Sequence, residues 1–195
     1  MVVLLVRHME STFNVAHLVQ GQTNKSVLTS EGVLRAKKLS FALKEKYPHA
    51  EGLFSSDLVR ARQTANELAL PYSLPVVFDP RLREVSRGFF EGISYDSLLW
   101  KFYKKFEKRG IDLGTILPGM ESLDLALDRF IQATTDKINS DRLFIVVSHG
   151  EVMRLFWARL SGFSLSQTLC SSAFHIRNGC VLEIDSTFNP KEVLL

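Results

Sequence analysis

The chain has 195 residues, 46% of them hydrophobic and 23% charged; this is the composition of an ordinary soluble globular chain, and its length favours one domain able to bury roughly 70% of its unfolded surface. Lys+Arg 24 against Asp+Glu 21 leaves a formal charge of +3, which suits a small anionic ligand and argues against a nucleic-acid partner. Cys170 and Cys180 lack CxxC spacing and scaffold density, and the first apolar run is cut short by Arg7 and His8, so no disulfide framework, signal segment or membrane span is expected and a cytoplasmic location is.

Residues 2–8, VVLLVRH, form a near-continuous apolar run that predicts a strand buried on both faces and ending in a histidine. A polar stretch through Gln20, Gly21, Asn24 and Ser26 reads as loop. Thr29 then offers an N-cap for TSEGVLRAKKLSFALKEKY, with Ala36, Leu39, Leu43 and Tyr47 as the apolar face and Pro48 closing the helix. After a short strand at 52–54, Ser55, Ser56 and Asp57 supply caps for LVRARQTANELAL, whose stripe is Leu58, Ala61, Ala65 and Leu68. Residues 76–78 predict another strand, and 82–92, LREVSRGFFEG, have no clean period and read as a loop.

Further helices are expected over 95–108, 122–138 and 151–160. A second apolar run ending in histidine, LFIVVSH at 143–149, predicts a strand, and shorter strands are expected near 173–176 and 181–184. In 95–110 Leu98, Leu99, Phe102 and Phe106 fall on one face and Lys101, Lys104, Lys105 and Lys108 on the other, an amphipathic surface helix whose alternative role is a lid with Trp100 and Tyr103 over a leaving group. Alternating strands and helices specify an α/β fold, a mainly parallel central sheet with helices on both faces, as one domain over 1–195.

Three strand ends bring polar groups to what is expected to be one sheet edge: Arg7 and His8, then Ser55 to Arg60, then His149 and Gly150. Arg60 lies in the first turn of its helix and leans back toward that edge, and helix starts after Asp57 and Gly150 add unpaired N–H groups. Two guanidinium forks suit the tetrahedral oxygens of a phosphoryl group. A neutral histidine with one nitrogen fixed as a donor can attack phosphorus with the other while the second histidine clamps charge, and a carboxyl in the 82–92 loop, Glu84 or Glu91, can protonate the leaving oxygen.

At these residues the chain resembles the histidine phosphatase superfamily, the phosphoglycerate mutase-like fold. LVRHMES is similar to the opening Arg-His-Gly-Glu-Ser/Thr signature, SSDLVRARQTA to Ser-Ser-x-x-x-Arg-Ala-x-x-Thr-Ala, LREVSRGFFEG to the Leu-x-Glu loop, PGMES to Pro-Gly-Gly-Glu-Ser and VVSHG to the second-histidine motif. The resemblance implies a three-layer sandwich with a small cap insertion at about 93–117. It implies that His8 becomes phosphohistidine, that Arg7, Arg60 and His149 hold the phosphoryl group, and that Glu84 is general acid and then base, with Glu91 structural. Asn14 and Gln20 match positions near the phosphate, and Gly21 and Gly150 complete the expected substrate-binding set. The implied activity is a metal-independent phosphomonoesterase needing no cofactor, acting on a small phosphomonoester and releasing inorganic phosphate, with neither nucleic acid nor membrane as partner and a homodimer open.

Two positions depart from the pattern. Met9 and Met120 replace glycines, and Met9 beside the nucleophile is expected to narrow the pocket or alter its access. The loop NKSVLT also lacks a proline before Leu-Thr, a neutral change. His17, His49, His175 and Arg62 read as ordinary surface residues. Competing functions are a phosphoglycerate mutase-type phosphotransferase, an α-ribazole phosphatase-like specialised phosphatase, a metallohydrolase using His8, His149, Glu10 and Glu151, and a non-catalytic phosphate- or partner-binding module.

Overall fold

In a computed structural model describing residues 2–138, 142–185 and 187–194, the chain runs β1 (Val2–Arg7), α1 (Thr12–Val15), α2 (Ser30–Lys46), β2 (Gly52–Ser55), α3 (Val59–Ala69), β3 (Val76–Phe78), α4 (Leu98–Glu107), α5 (Leu123–Ile138), β4 (Leu143–Ser148), α6 (Gly150–Leu160), α7 (Leu165–Cys170), β5 (Val181–Asp185) and β6 (Pro190–Val193). The strands form one sheet in the order β3-β2-β4-β1-β5-β6. β3, β2, β4 and β1 are parallel, while β5 and β6 are antiparallel at one edge.

Adjacent strand residues point to opposite faces, and β1 shows the consequence. Val3 and Leu5 pack with Phe130, Val152 and Phe156 from α5 and α6, whereas Leu4 and Val6 pack with Leu43, Ala61 and Leu68 from α2 and α3. Helices therefore cover both faces, the three-layer arrangement the alternating pattern specifies. Thr29 caps α2 as expected, its hydroxyl accepting from Gly32 N–H at 2.9 Å.

Several local expectations are corrected. Residues 173–176 form no strand, because Phe174 takes φ +61° and breaks the extended run, and the Ile176 carbonyl is taken by Arg7. Asp57 does not cap α3, since both its oxygens accept from Arg83, and the Val59 N–H is met instead by Asn24 Oδ1 at 3.0 Å. The helix expected from 95 starts at Leu98, capped by Ser97, and the one expected from 151 starts at Gly150 after His149. The loop after β1 contains the one-turn α1, and α7 and β6 were not expected at all.

The face of α4 is also corrected. Leu98 and Phe102 stand 86% and 58% exposed, and the buried residues are Trp100, Tyr103 and Glu107. Arg87, from the 82–92 loop, explains the rotation by donating to Tyr103 Oη and to Glu107 Oε1, with Lys104 also paired to Glu107. A buried charge demands its partners more strictly than an exposed leucine demands cover.

Candidate active site

β1 and β4 pair with Arg7 opposite Ser148, so the next residue of each strand, His8 and His149, leaves the sheet side by side. His8 N–H donates to Ser148 O at 2.9 Å, and the two rings lie 5.2 Å apart at 60°. β2 ends one step away, where Ser56 N–H donates to Val147 O and α3 then carries Arg60.

Both imidazoles are buried. Burial, reinforced by Arg60 and Arg7, holds His8 well below the ordinary histidine value, and burial with Arg60, His8 and Arg7 does the same to His149. Both rings are therefore neutral at pH 7. His8 Nδ1 lies 2.7 Å from the Met9 carbonyl, which only accepts, so the ring proton sits on Nδ1 and the lone pair on Nε2. His149 Nε2 lies 2.8 Å from Ser56 Oγ, which already accepts from Leu58 N–H. The arrangement that satisfies this hydroxyl turns its O–H toward Nε2 and leaves the His149 proton on Nδ1.

Arg7 Nη1 donates to Ile176 O at 2.5 Å, and Arg60 donates to Thr23 O at 3.0 Å and Gly21 O at 2.7 Å. Burial lowers both guanidiniums, Arg60 to about 10, and both stay cationic at neutral pH. Arg7 Nε, Arg60 Nε and His149 Nδ1 are buried and have no hydrogen-bond partner among the described residues.

Glu84 stands where β1, β4 and α6 converge. Its carboxylate accepts from Glu151 N–H at 3.0 Å, Val152 N–H at 3.1 Å and its neighbour Val85 N–H at 3.0 Å, so it is pinned to the N-terminus of α6. Glu91 is separate. It accepts from the Gln22 and Arg87 N–H groups and staples the 82–92 loop to the loop after β1. Gly21, at φ +48°, fits only as glycine because a Cβ would run into that carboxylate.

A cleft of about 290 Å³ opens here, and Arg7, His8, Gln20, Gly21, Arg60, Glu84 and Gly150 lie on its wall. Two expected residues do not. His149 is fully buried with its ring against that of His8, and Asn14 Oδ1 is occupied by Ser11 and Asn178, the latter also donating to His8 O. The outer wall holds Arg87 and Arg154, which the sequence does not mark, Glu151, expected only as a ligand in the metallohydrolase alternative, and His175, expected to be ordinary surface. Trp100 and Lys104 of α4 also line it, whereas Tyr103, the other ring of the lid alternative, is buried with its hydroxyl on Arg87 and Glu107. Although burial works the other way, Arg154, Arg87 and Lys104 hold Glu151 down at about 2.

Met9 does not narrow this cleft. Its φ is not left-handed, its N–H donates to Thr64 Oγ1, and its side chain turns away to pack with Leu28 and Ala36. Met120 likewise follows the glycine that needs the positive φ, Gly119 at +77°, and packs beside Trp100 and Tyr103. The metallohydrolase set does not gather, and no three metal-ligating side chains among the described residues are placed to hold an ion. No described helix is long and apolar enough to cross a membrane.

Two neutral histidines, the buried Arg60 and half-buried Arg7 guanidiniums and a carboxylate at one edge of a mainly parallel sheet define a histidine phosphatase-type site. The chain belongs to the histidine phosphatase superfamily (branch 1), whose family model matches residues 3–194. It is 33% identical over 181 residues to a metal-independent phosphoserine phosphatase of Arabidopsis thaliana, covering 89% of this chain and 74% of that one. It is 29% identical over 192 residues to a probable phosphoglycerate mutase GpmB of Erwinia tasmaniensis, covering 96% and 86%. A mycobacterial glucosyl-3-phosphoglycerate phosphatase solved with VO3 superposes with a TM-score of 0.80 over 100% of this chain and 98% of that one, and its 20% identity speaks for the fold alone. The chain is accordingly a phosphoric monoester hydrolase by class.

Proposed function

We propose that this protein hydrolyses small phosphomonoesters through a phosphohistidine at His8, without a metal ion. The observation that carries the reading is the set of three buried nitrogens without partners, Arg7 Nε, Arg60 Nε and His149 Nδ1, around a neutral His8 whose Nε2 lone pair is unclaimed. Buried polar atoms are almost always paired, and a phosphoryl group brings three oxygens to be shared among such donors.

His8 Nε2 attacks phosphorus, and the bond to the leaving oxygen breaks while Arg7, Arg60 and His149 hold charge on the remaining oxygens. Glu84 gives its proton to the departing alkoxide. The ionised Glu84 then takes a proton from water, whose oxygen attacks phosphorus, and the P–N electron pair returns to His8. Asn14 supports this from behind through Asn178, while Gln20, Gly21 and Gly150 shape the wall. Segment 93–117 acts as the cap over the leaving-group half.

That half sets the substrate. Arg87, Lys104 and Arg154 face it with Glu151 and the Trp100 ring, while Glu107 lies on the buried face of α4, so three cations meet two carboxylates and favour a leaving group bearing its own carboxylate. The phosphoserine phosphatase relative agrees with such a substrate.

Rapid quenching with labelled O-phosphoserine is expected to trap acid-labile phosphate on His8, and His8→Ala to abolish both label and turnover. Hydrolysis unchanged in that variant would sink the mechanism. O-phosphoserine and 3-phosphoglycerate are expected to exceed phosphoethanolamine and glycerol phosphate in kcat/KM, and equal values would remove the carboxylate reading. Isomerised phosphoglycerate in place of released phosphate would identify a mutase.

A further inference from the structure

Residues 83–86, which carry Glu84, are neither helix nor strand, yet proton transfer asks for a carboxyl held to a fraction of an ångström. The Glu84 side chain is fixed by α6, and its main chain is fixed by a different element. Arg129 of α5 donates through Nη1 to Arg81 O at 2.8 Å and Arg83 O at 2.6 Å, and through Nη2 to Glu84 O at 2.9 Å. Its other edge forks onto Glu121, Nε to Oε1 at 2.6 Å and Nη2 to Oε2 at 2.7 Å. Glu121 Oε2 then accepts from Ser86 N–H at 3.1 Å, two residues beyond Glu84. The pair thus grips the chain on both sides of Glu84, using the glutamate of PGMES and an arginine next to the buried Phe130 of α5.

From this geometry we infer that Arg129, braced by Glu121, is the positioning residue for Glu84. It touches neither substrate nor the reacting atoms. The inference rests on Glu84 serving as general acid and base. Planarity is what the position requires: one guanidinium reaches three carbonyls and a carboxylate at once, and an ammonium does not.

The test compares two monoesters of one enzyme, p-nitrophenyl phosphate, whose leaving oxygen departs without a proton, and O-phosphoserine, whose leaving oxygen needs one. Arg129→Gln is expected to lower kcat/KM on O-phosphoserine, which reports only the steps up to release of the alcohol, by about 10- to 100-fold, to leave kcat/KM on p-nitrophenyl phosphate within about threefold, and not to be restored by Arg129→Lys. A structural defect would lower both substrates together. Glu121→Gln, which leaves the guanidinium on the carbonyls, is expected to show the same selectivity with a smaller loss, and it decides the matter if Arg129→Gln does not fold. Equal losses on both esters, or none on either, overturn the inference. Glu84→Gln is the reference: if it shows the selectivity and the Arg129 and Glu121 variants do not, positioning alone fails, and if Glu84→Gln shows none, the acid assignment fails and this inference with it.

Discussion

His8 needs its proton on one particular nitrogen, and the residue that fixes it is the neighbour most at odds with the family pattern. The Met9 carbonyl receives His8 Nδ1–H while its side chain packs in an apolar cluster with Leu28 and Ala36. Glycine at this position supplies flexibility that the local φ does not call for. The departure was legible in the sequence, but its direction was not, because which face residue 9 shows depends on where β1 stops. Met9→Ala is expected to lower unfolding free energy by about 2 kcal/mol or more through the cavity it leaves, with kcat changed by less than about threefold. Urea unfolding and steady-state kinetics on one preparation check both halves, and a large loss of kcat without a loss of stability would mean the side chain reaches the chemistry.

Among the elements, α4 shows how far periodicity reads. Its helical character follows from the apolar spacing, but its start at Leu98 follows from the Ser97 cap and its orientation from Glu107, which the pattern places among polar residues. The buried set Trp100, Tyr103 and Glu107 is itself spaced three and four apart, and its long-range partners, Arg87 for Glu107 and Val19 and Phe90 for the two rings, mark it as the inward face. Phe102→Gln is therefore expected to shift stability by less than about 0.5 kcal/mol. Glu107→Ala strands the buried Arg87 charge and is expected to remove about 3 kcal/mol or more and to loosen the outer wall. Chemical denaturation of both variants measures the contrast, and a larger loss at Phe102 would restore the face that spacing alone suggests. α7 had a readable signal, the Ser164 and Gln167 capping box, whereas β6 begins with proline and alternates nothing apolar.

At the scale of the molecule, the two strands that end in histidine were legible because both are apolar throughout, and a sheet buried on two faces admits little else. Their adjacency was not, since order β2-β4-β1 is a matter of topology, and it is this order that sets the rings 5.2 Å apart. The same packing has a thermodynamic consequence. Both imidazoles are held below the ordinary value of 6.5 by burial first and by nearby guanidiniums second. The unfolded chain therefore binds protons near pH 6.5 that the folded chain refuses, so stability is full above that pH and falls as pH is lowered through it. The slope approaches about 1.4 kcal/mol per pH unit for each histidine until its folded value is reached. Asp57 and Glu151, lowered by Arg83 and Arg154, add their own loss only further down, below the ordinary carboxylate range, so the window from pH 7 to 5.5 isolates the imidazoles. Urea midpoints measured across that window in phosphate-free buffer are expected to fall steadily, and His149→Gln to remove about half the slope. A flat profile would mean that both rings take up their protons in place, and the neutral nucleophile on which the chemistry depends would then have to be abandoned.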